Sequence, residues 1–482
     1  VRARYLKPCR NSYEVRLLEL RLVADLAVQG AFRVEELEDC GLAPRSSTDP
    51  WIHSGLFDSH LHVTWTGETR RRVVAGAFAD VESYIEALRQ RLCDTPADEI
   101  LISYGFDEDR WGLRRDDLFA RVGARLDPTR KWLLYRVCGH LACASPALLE
   151  GMKMASEKRL LDDTEIQRLH ARMPAPSRAQ LKFDFLEAQR CLLEAGIDTV
   201  GDMSLDAALL PAVLELHAEN LLQLDYQGVM LDDPQNGAIL DAPIYSHNGP
   251  RHFEVCHWKR YLDGSFGART AWLRRPYTDD PTTQGLRLYE TQELIAAARG
   301  ALEKGFALSF HAIGDAALEQ LLELSDVLKD EMAALNARAG RPVHRIEHAQ
   351  LMGDDQLLRL KKLGLWILCV QPHHREADAA FIVQRLGPER TAREAYRLAS
   401  LVEAALPVSL GSDAPITFFE AGLTLAASNE IPFEDALWRF SEGGRVIHGF
   451  CARHISVGSR VWLLEPRAIS TSVKAPALPA LP

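Results

Sequence analysis

Six residues spread over more than half of the chain, His60, His62, Lys259, His311, His348 and Asp413, each close a short apolar run, and their side-chain types make a metal-ligand set. FDSHLHVTW sets His60 and His62 two apart, so on a strand both imidazoles leave the same face and form one half of a zinc-type site. The same context recurs in ALSFHAIGD, which ends its run in His311, in RIEHAQ with His348, and in VSLGSDAP with Asp413. Neutral imidazoles suit Zn, Fe or Ni, and a carboxylate adds the charge that holds a dication and a place for a proton. Lys259, in HWKRYLDGS, is no ligand as an ammonium. Once its amine has added carbon dioxide it becomes an anionic carbamate, which two nearby cations would favour. An ion pair with Asp263 is the other reading, and the residues leave both open.

These residues need a frame that brings distant strand ends together. Runs rich in Val, Ile, Leu and aromatics fall near 56–63, 197–203, 223–230, 255–262, 307–311, 344–348, 366–371 and 408–413, with amphipathic stretches between several of them. That alternation predicts an α/β fold, a (β/α)8 TIM barrel whose chemistry sits at the C-terminal strand ends. The helical stretches are LYETQELIAAARGALEKG, DAALEQLLELSDVLKDEMAALNARAG and DDQLLRLKKLG. A long gap after the first strand implies a large insertion, a folded subdomain at about 68–185, with strand-like runs EILISYGF and KWLLYRVCGH and a helix near 80–92. The termini, 1–50 and 450–482, are expected to build a small accessory β domain, a sandwich in reduced form, around a barrel of 51–449. Its tail VKAPALPALP reads as extended.

Composition narrows the function classes. Hydrophobic residues make up 47% and charged residues 26%, as in a globular protein, and the net charge of −11 comes without a dense basic block. Nucleic acid and anionic membrane are therefore excluded as partners. Nine cysteines without a CxxC pair suggest neither a disulfide framework nor a thiolate zinc knuckle. The basic opening VRARYLKPCRNSYEVR precedes no apolar signal segment, and a cytoplasmic protein is expected.

The motifs GLFDSHLH, YGFDEDRW, GHLACASPALLEG, AGIDTVGDM, KRYLDGSFGARTAWLRRPYTDDPTTQG, HAIGDAALE, RIEHAQ, VQPHH and GSDAPI follow one another over about residues 51–420. In this order the chain resembles the amidohydrolase superfamily, in its amidohydrolase-3 branch (YtcJ-like, N-substituted formamide deformylase-like). The resemblance implies a binuclear site of divalent metal, zinc foremost: one ion on His60, His62 and Asp413, the other on His311 and His348, with carboxylated Lys259 between. It implies hydrolysis of a small-molecule amide of the N-acyl or N-formyl type, with Asp413 as general base and then acid. It also places His140 and Arg269 at the substrate. Trp111 and Tyr277 read as an aromatic pocket wall or as core, and His374 as a residue of the mouth, with His373 beside it as the competing choice. Asp315 reads as the N-cap of the helix that follows. Oligomeric state is open, a homodimer included.

Three rival readings remain. HRIEH at 344–348 matches the H-x-x-E-H zinc-protease motif, whose spacing puts both histidines on one face of a helix or of a strand. A deaminase of a ring amine would use the same chemistry, and a non-catalytic binding or regulatory descendant would keep only the barrel. The ends depart from the branch's pattern, with SVGSRVWLLEP near the C-terminus, so the accessory domain is expected to be altered.

Overall fold

The computed structural model describes residues 1–464 apart from 10–11, 26–27, 44–48, 71, 76–77, 98, 107–110, 114–120, 123–124, 137–140, 155–159, 171, 233–239, 247–250, 418 and 458. It divides into two compact units, one of 1–66 with 181–471 and one formed chiefly by 67–180.

In the larger unit, eight of the described strands run parallel: β1 (Leu56–Leu61), β2 (Ile197–Leu205), β3 (Asp225–Leu231), β4 (Phe253–Tyr261), β5 (Ala307–Ala312), β6 (His344–His348), β7 (Trp366–Val370) and β8 (Val408–Leu410). Each pairs in parallel with the next in chain order. The edges meet just past β8, where Asp413 N donates to His60 O at 2.7 Å and His62 N donates to Ala414 O at 2.8 Å. The sheet thus curls into the expected (β/α)8 barrel. β5, β6 and β7 are buried along their whole length, as strands sandwiched between interior and helices must be.

All eight expected strand windows contain a strand, and β8 departs most, stopping at Leu410. The reason is Gly411, where an added Cβ would lie 2.7 Å from the His60 backbone N. Only glycine lets the chain of β8 approach β1 this closely, and that approach carries Asp413 toward His60.

The helices follow the apolar periodicity. Thr291–Glu303 buries Leu294, Ile295, Ala298, Ala301 and Leu302 on one face. The stretch expected as one helix from 315 breaks at the fully buried Leu328 into Asp315–Val327 and Lys329–Ala339, the second ending at Gly340 with φ 69°.

The terminal strands Arg2–Cys9, Ser12–Ala24, Phe32–Leu42, Arg460–Leu464 and Trp51–His53 close on themselves as a five-stranded barrel, where two stacked sheets were expected. Ala3, Tyr5, Leu18, Leu20, Val34, Ile52 and Val461 fill it. Trp462 turns the other way, joining the main core and donating Nε1 to Leu193 O at 3.0 Å.

The smaller unit holds its own sheet, in the order Leu160–Asp162, Leu141–Ala144, Trp132–Arg136, Leu101–Phe106, Val73–Val74. Its helix Val81–Asp94 buries Val81, Tyr84, Ile85, Leu88 and Leu92 and is capped by Asp80, which accepts from Ser83 N at 2.8 Å. No helix among the described residues is long and apolar enough to cross a membrane.

Candidate active site

The C-terminal strand ends bring four histidines together. His60 closes on His348 with ring centroids 4.7 Å apart, His348 on His311 at 4.4 Å, and His60 on His62 at 5.8 Å. Asp413 joins them through Oδ1, 3.0 Å from His62 Nε2 and 3.3 Å from His60 Nε2. His60, His348 and Asp413 each present a ligand atom within 4.8 Å of the others, so the two halves implied by the resemblance adjoin as one cluster.

Backbone conformation aims two of these groups. His348 has φ 74° and the next residue, Ala349, φ 46°; Asp413 has φ 58°. Such left-handed residues without a glycine cost energy and are held by their surroundings. In β6, Arg345 and Glu347 point into the barrel while His344 points outward, its Nε2 donating to Met332 O at 3.1 Å. Strict alternation would send His348 outward as well, and its positive φ turns it back to the mouth. The segment is a strand, and His344 and His348 do not share a face, which removes the protease reading.

Each imidazole is gripped from behind at one nitrogen. His60 Nδ1 donates to Glu347 Oε2 at 2.6 Å, His348 Nδ1 to Gln371 Oε1 at 2.8 Å, and His311 Nε2 to Gly264 O at 3.2 Å, while His62 Nδ1 meets Ser204 Oγ. The other nitrogen of each ring is left for the centre; His311 Nδ1 is buried with no hydrogen-bond partner among the described residues, and His60 Nε2 faces only Asp413 Oδ1, at 3.3 Å. Fixing one ring nitrogen so that the other presents a lone pair is how proteins orient metal-binding histidines.

At three of the four rings the electrostatics favour a neutral donor. Burial, then the charge of Lys259, lowers His311 to about 3. Burial, then neighbouring imidazoles, holds His348 well below the ordinary histidine value, and burial outweighs Asp413 at His62. His60 shifts upward, because Asp413 and Glu347 together overcome its burial. Burial alone would raise Asp413, but His60, His374 and His62 hold its carboxyl well below the usual range.

Lys259, on β4, is completely buried, and its Nζ has no hydrogen-bond partner among the described residues. It lies 4.8 Å from the centre of the Tyr261 ring and close enough to His62 and His311 to depress both. Asp263 is not its partner. That carboxylate takes the backbone amides of Ile313 at 3.0 Å, Gly314 at 2.7 Å and Trp272 at 2.9 Å. A buried ammonium without a counter-ion among the described residues is costly. Unpaired imidazole nitrogens, a carboxylate and this lysine are a donor set that fits a divalent cation.

The remaining residues separate. His374 reaches Asp413 Oδ2 at 3.3 Å and is held from behind by Gln350, whereas His373 turns away to Thr424 Oγ1 at 3.0 Å. Arg269 does not reach the cluster: its guanidinium is paired with Asp279 at 3.0 Å on a loop where Arg385 shares that carboxylate. Tyr277, expected at a pocket wall, is core, packed with Phe266, Leu273 and Ile313 and donating its hydroxyl to Ala271 O at 2.8 Å. Trp111 packs against Tyr84 in the smaller unit, ring centroids 5.3 Å apart. His140 lies outside the described residues. Asp315 does not cap its helix, since Gly314 holds the cap position; its Oδ1 instead accepts from Arg274 N at 2.9 Å.

Sequence reasoning missed the groups behind the histidines. Glu347 sits inside the RIEH motif itself, so its proximity to a ligand-type histidine was a usable signal. Ser204 gave none, being 142 positions from His62 in the chain.

Barrel and histidine cluster define a hydrolase of the amidohydrolase type. Residues 54–460 match the model of the amidohydrolase family, and the chain belongs to that family. It is 27% identical over 427 residues to the putative amidohydrolase YtcJ of Bacillus subtilis, covering 82% of this chain and 77% of that one. It is 24% identical over 449 residues to the protein LONG AFTER FAR-RED 3 of Arabidopsis thaliana, covering 85% and 74%. Among solved structures it resembles an uncharacterized metal-dependent hydrolase from Pyrococcus furiosus, with TM-score 0.71, 24% identity, and coverage of 95% and 97%. A second, from Pyrococcus horikoshii OT3, matches with TM-score 0.69, 25% identity, and coverage of 88% and 87%.

Proposed function

We propose that this protein is a metal-dependent amidohydrolase that cleaves a non-peptide carbon–nitrogen bond in a small molecule, an amide of the N-acyl or N-formyl type. The observation that carries the reading is the cluster at the strand ends, where His60, His348 and Asp413 present ligand atoms within 4.8 Å of one another and His311 closes on His348 with ring centroids 4.4 Å apart. His60, His62 and Asp413 would hold one cation, His311 and His348 a second, and the Lys259 carbamate would bridge them. Bound there, divalent metal supplies Lewis acidity and a nucleophilic water at neutral pH.

The chain's own groups handle the protons. Asp413 is kept ionised by its imidazole neighbours, so it accepts the proton lost by water as the carbonyl carbon becomes tetrahedral. It then returns that proton to the departing nitrogen, which leaves as a neutral amine. His374, at the start of the helix Pro372–Asp378 and 3.3 Å from Asp413 Oδ2, would donate to the substrate oxygen.

Metal analysis of the purified protein, paired with a screen of N-acyl and N-formyl amines, tests this. Two ions per chain are expected, falling to one or none in Lys259→Ala. Asp413→Asn should lower the rate by about two or more orders of magnitude. Undiminished metal in the lysine variant would remove Lys259 from the ligands, and a near-normal rate in the asparagine variant would remove Asp413 as the base.

A further inference from the structure

The opposite end of the barrel, where the parallel strands begin, holds a second concave site. A cavity of about 390 Å³ is lined there by Arg33, Arg251, Arg453, Arg460 and His454, with Asp198 as its acidic lining residue. Asp198 opens β2 and Arg251 precedes β4, whereas Arg33 and Arg460 belong to strands of the terminal barrel.

Guanidiniums dominate its lining among the described residues. Asp198 takes Arg453 on both oxygens, at 2.5 and 3.0 Å, and Glu442 takes the Nε of the same guanidinium at 3.3 Å. One oxygen of Asp25 serves two cations, Arg33 at 2.9 Å and Arg460 at 2.7 Å. Arg251 reaches Asp198 only at 3.5 Å, and among the described residues its guanidinium makes no hydrogen bond. Arg460 spends only its Nε on Asp25, so among the described residues its two terminal nitrogens keep their protons for another acceptor. Guanidiniums crowded along one lining repel one another, and an anion between them would relieve that repulsion. Forked donors fixed by carboxylates at one edge and open at the other are suited to an oxyanion.

We propose that this cavity binds a small multivalent oxyanion, of the phosphate or polycarboxylate kind, between Arg251 on the barrel side and Arg460 on the terminal strands. The site is independent of the histidine cluster and of the hydrolytic reading.

Calorimetric titration of the purified full chain with inorganic phosphate, and separately with citrate, in a chloride buffer of low ionic strength tests it. One saturable site per chain is expected, and Arg251→Ala or Arg460→Gln should weaken it at least about tenfold, the loss of a charge-assisted hydrogen bond. Arg251→Gln, which keeps the aliphatic stem, repeats the test if the alanine variant misfolds. Preference for one anion identifies its chemical source, and either preference supports the proposal. Absence of saturable heat with both anions, or unchanged affinity in the Arg251 and Arg460 variants, would overturn it.

Discussion

Removing the Glu347 carboxylate separates what holds the barrel together from what holds the histidine cluster. Fully buried, it accepts from Arg345 Nε at 2.7 Å, His60 Nδ1 at 2.6 Å and Ser309 Oγ at 2.8 Å. Burial raises its pKa, but Arg345 and then His60 outweigh that and keep it well below the ordinary glutamate value, so it is a carboxylate at neutral pH. Glu347→Ala strands the Arg345 guanidinium in the interior, which costs about 3–5 kcal/mol. It also frees the His60 ring, which should lower metal affinity about 10- to 100-fold. The double variant Arg345→Met/Glu347→Met removes both charges, so stability should return to within about 1–4 kcal/mol of wild type on either side. The affinity deficit should persist, because His60 still has nothing behind it. Urea unfolding followed by circular dichroism reads the first effect, and competition for zinc against a chromogenic chelator reads the second. A Glu347→Ala protein with wild-type urea midpoint and wild-type zinc affinity would refute the reasoning, as would a double variant that regains affinity along with stability.

Two further changes probe the frame. Gly411→Ala places a Cβ 2.7 Å from the His60 backbone N, so the loop after β8 must shift; a loss of about 1–3 kcal/mol together with reduced metal content is expected, and unchanged metal content would mean the close approach does not set Asp413. At Asp198, burial alone would raise the pKa, but Arg453, then Arg251 and Arg445, bring it from its ordinary 3.8 to about 2. A depressed carboxylate stabilises the fold above pH 3.8 and loses that contribution as pH falls toward 2, a stake of about 2 kcal/mol. Asp198→Asn should therefore unfold at lower urea than wild type from neutral pH down to about pH 4, with the gap closing below; a gap that stays constant through acid would contradict the linkage.

Much of this molecule was written along the chain. The eight strand windows, the helical stretch before β5 and the long insertion follow from apolar periodicity, which depends on neighbours a few residues apart. HLH, HAIGD, RIEH and GSDAP were legible as strand-end donors for the same reason, since the residues that mark a strand's end travel with the donor. Tertiary structure decided everything that depends on distant pairs or on local dihedral angles. The sequence left Lys259 open between an ion pair and a buried amine, and only the packing showed Asp263 claimed by three backbone amides. Alternation put His348 on the face of His344, and a positive φ reversed it. Which of His373 and His374 faces Asp413 depended on how the short helix after β7 docks. Tyr277 and Arg269 carried side chains suited to a pocket, but the one fills a core and the other binds Asp279. A residue's type announces the chemistry it is able to do; its partners are fixed by segments far away in sequence, and no pattern within a single segment encodes them.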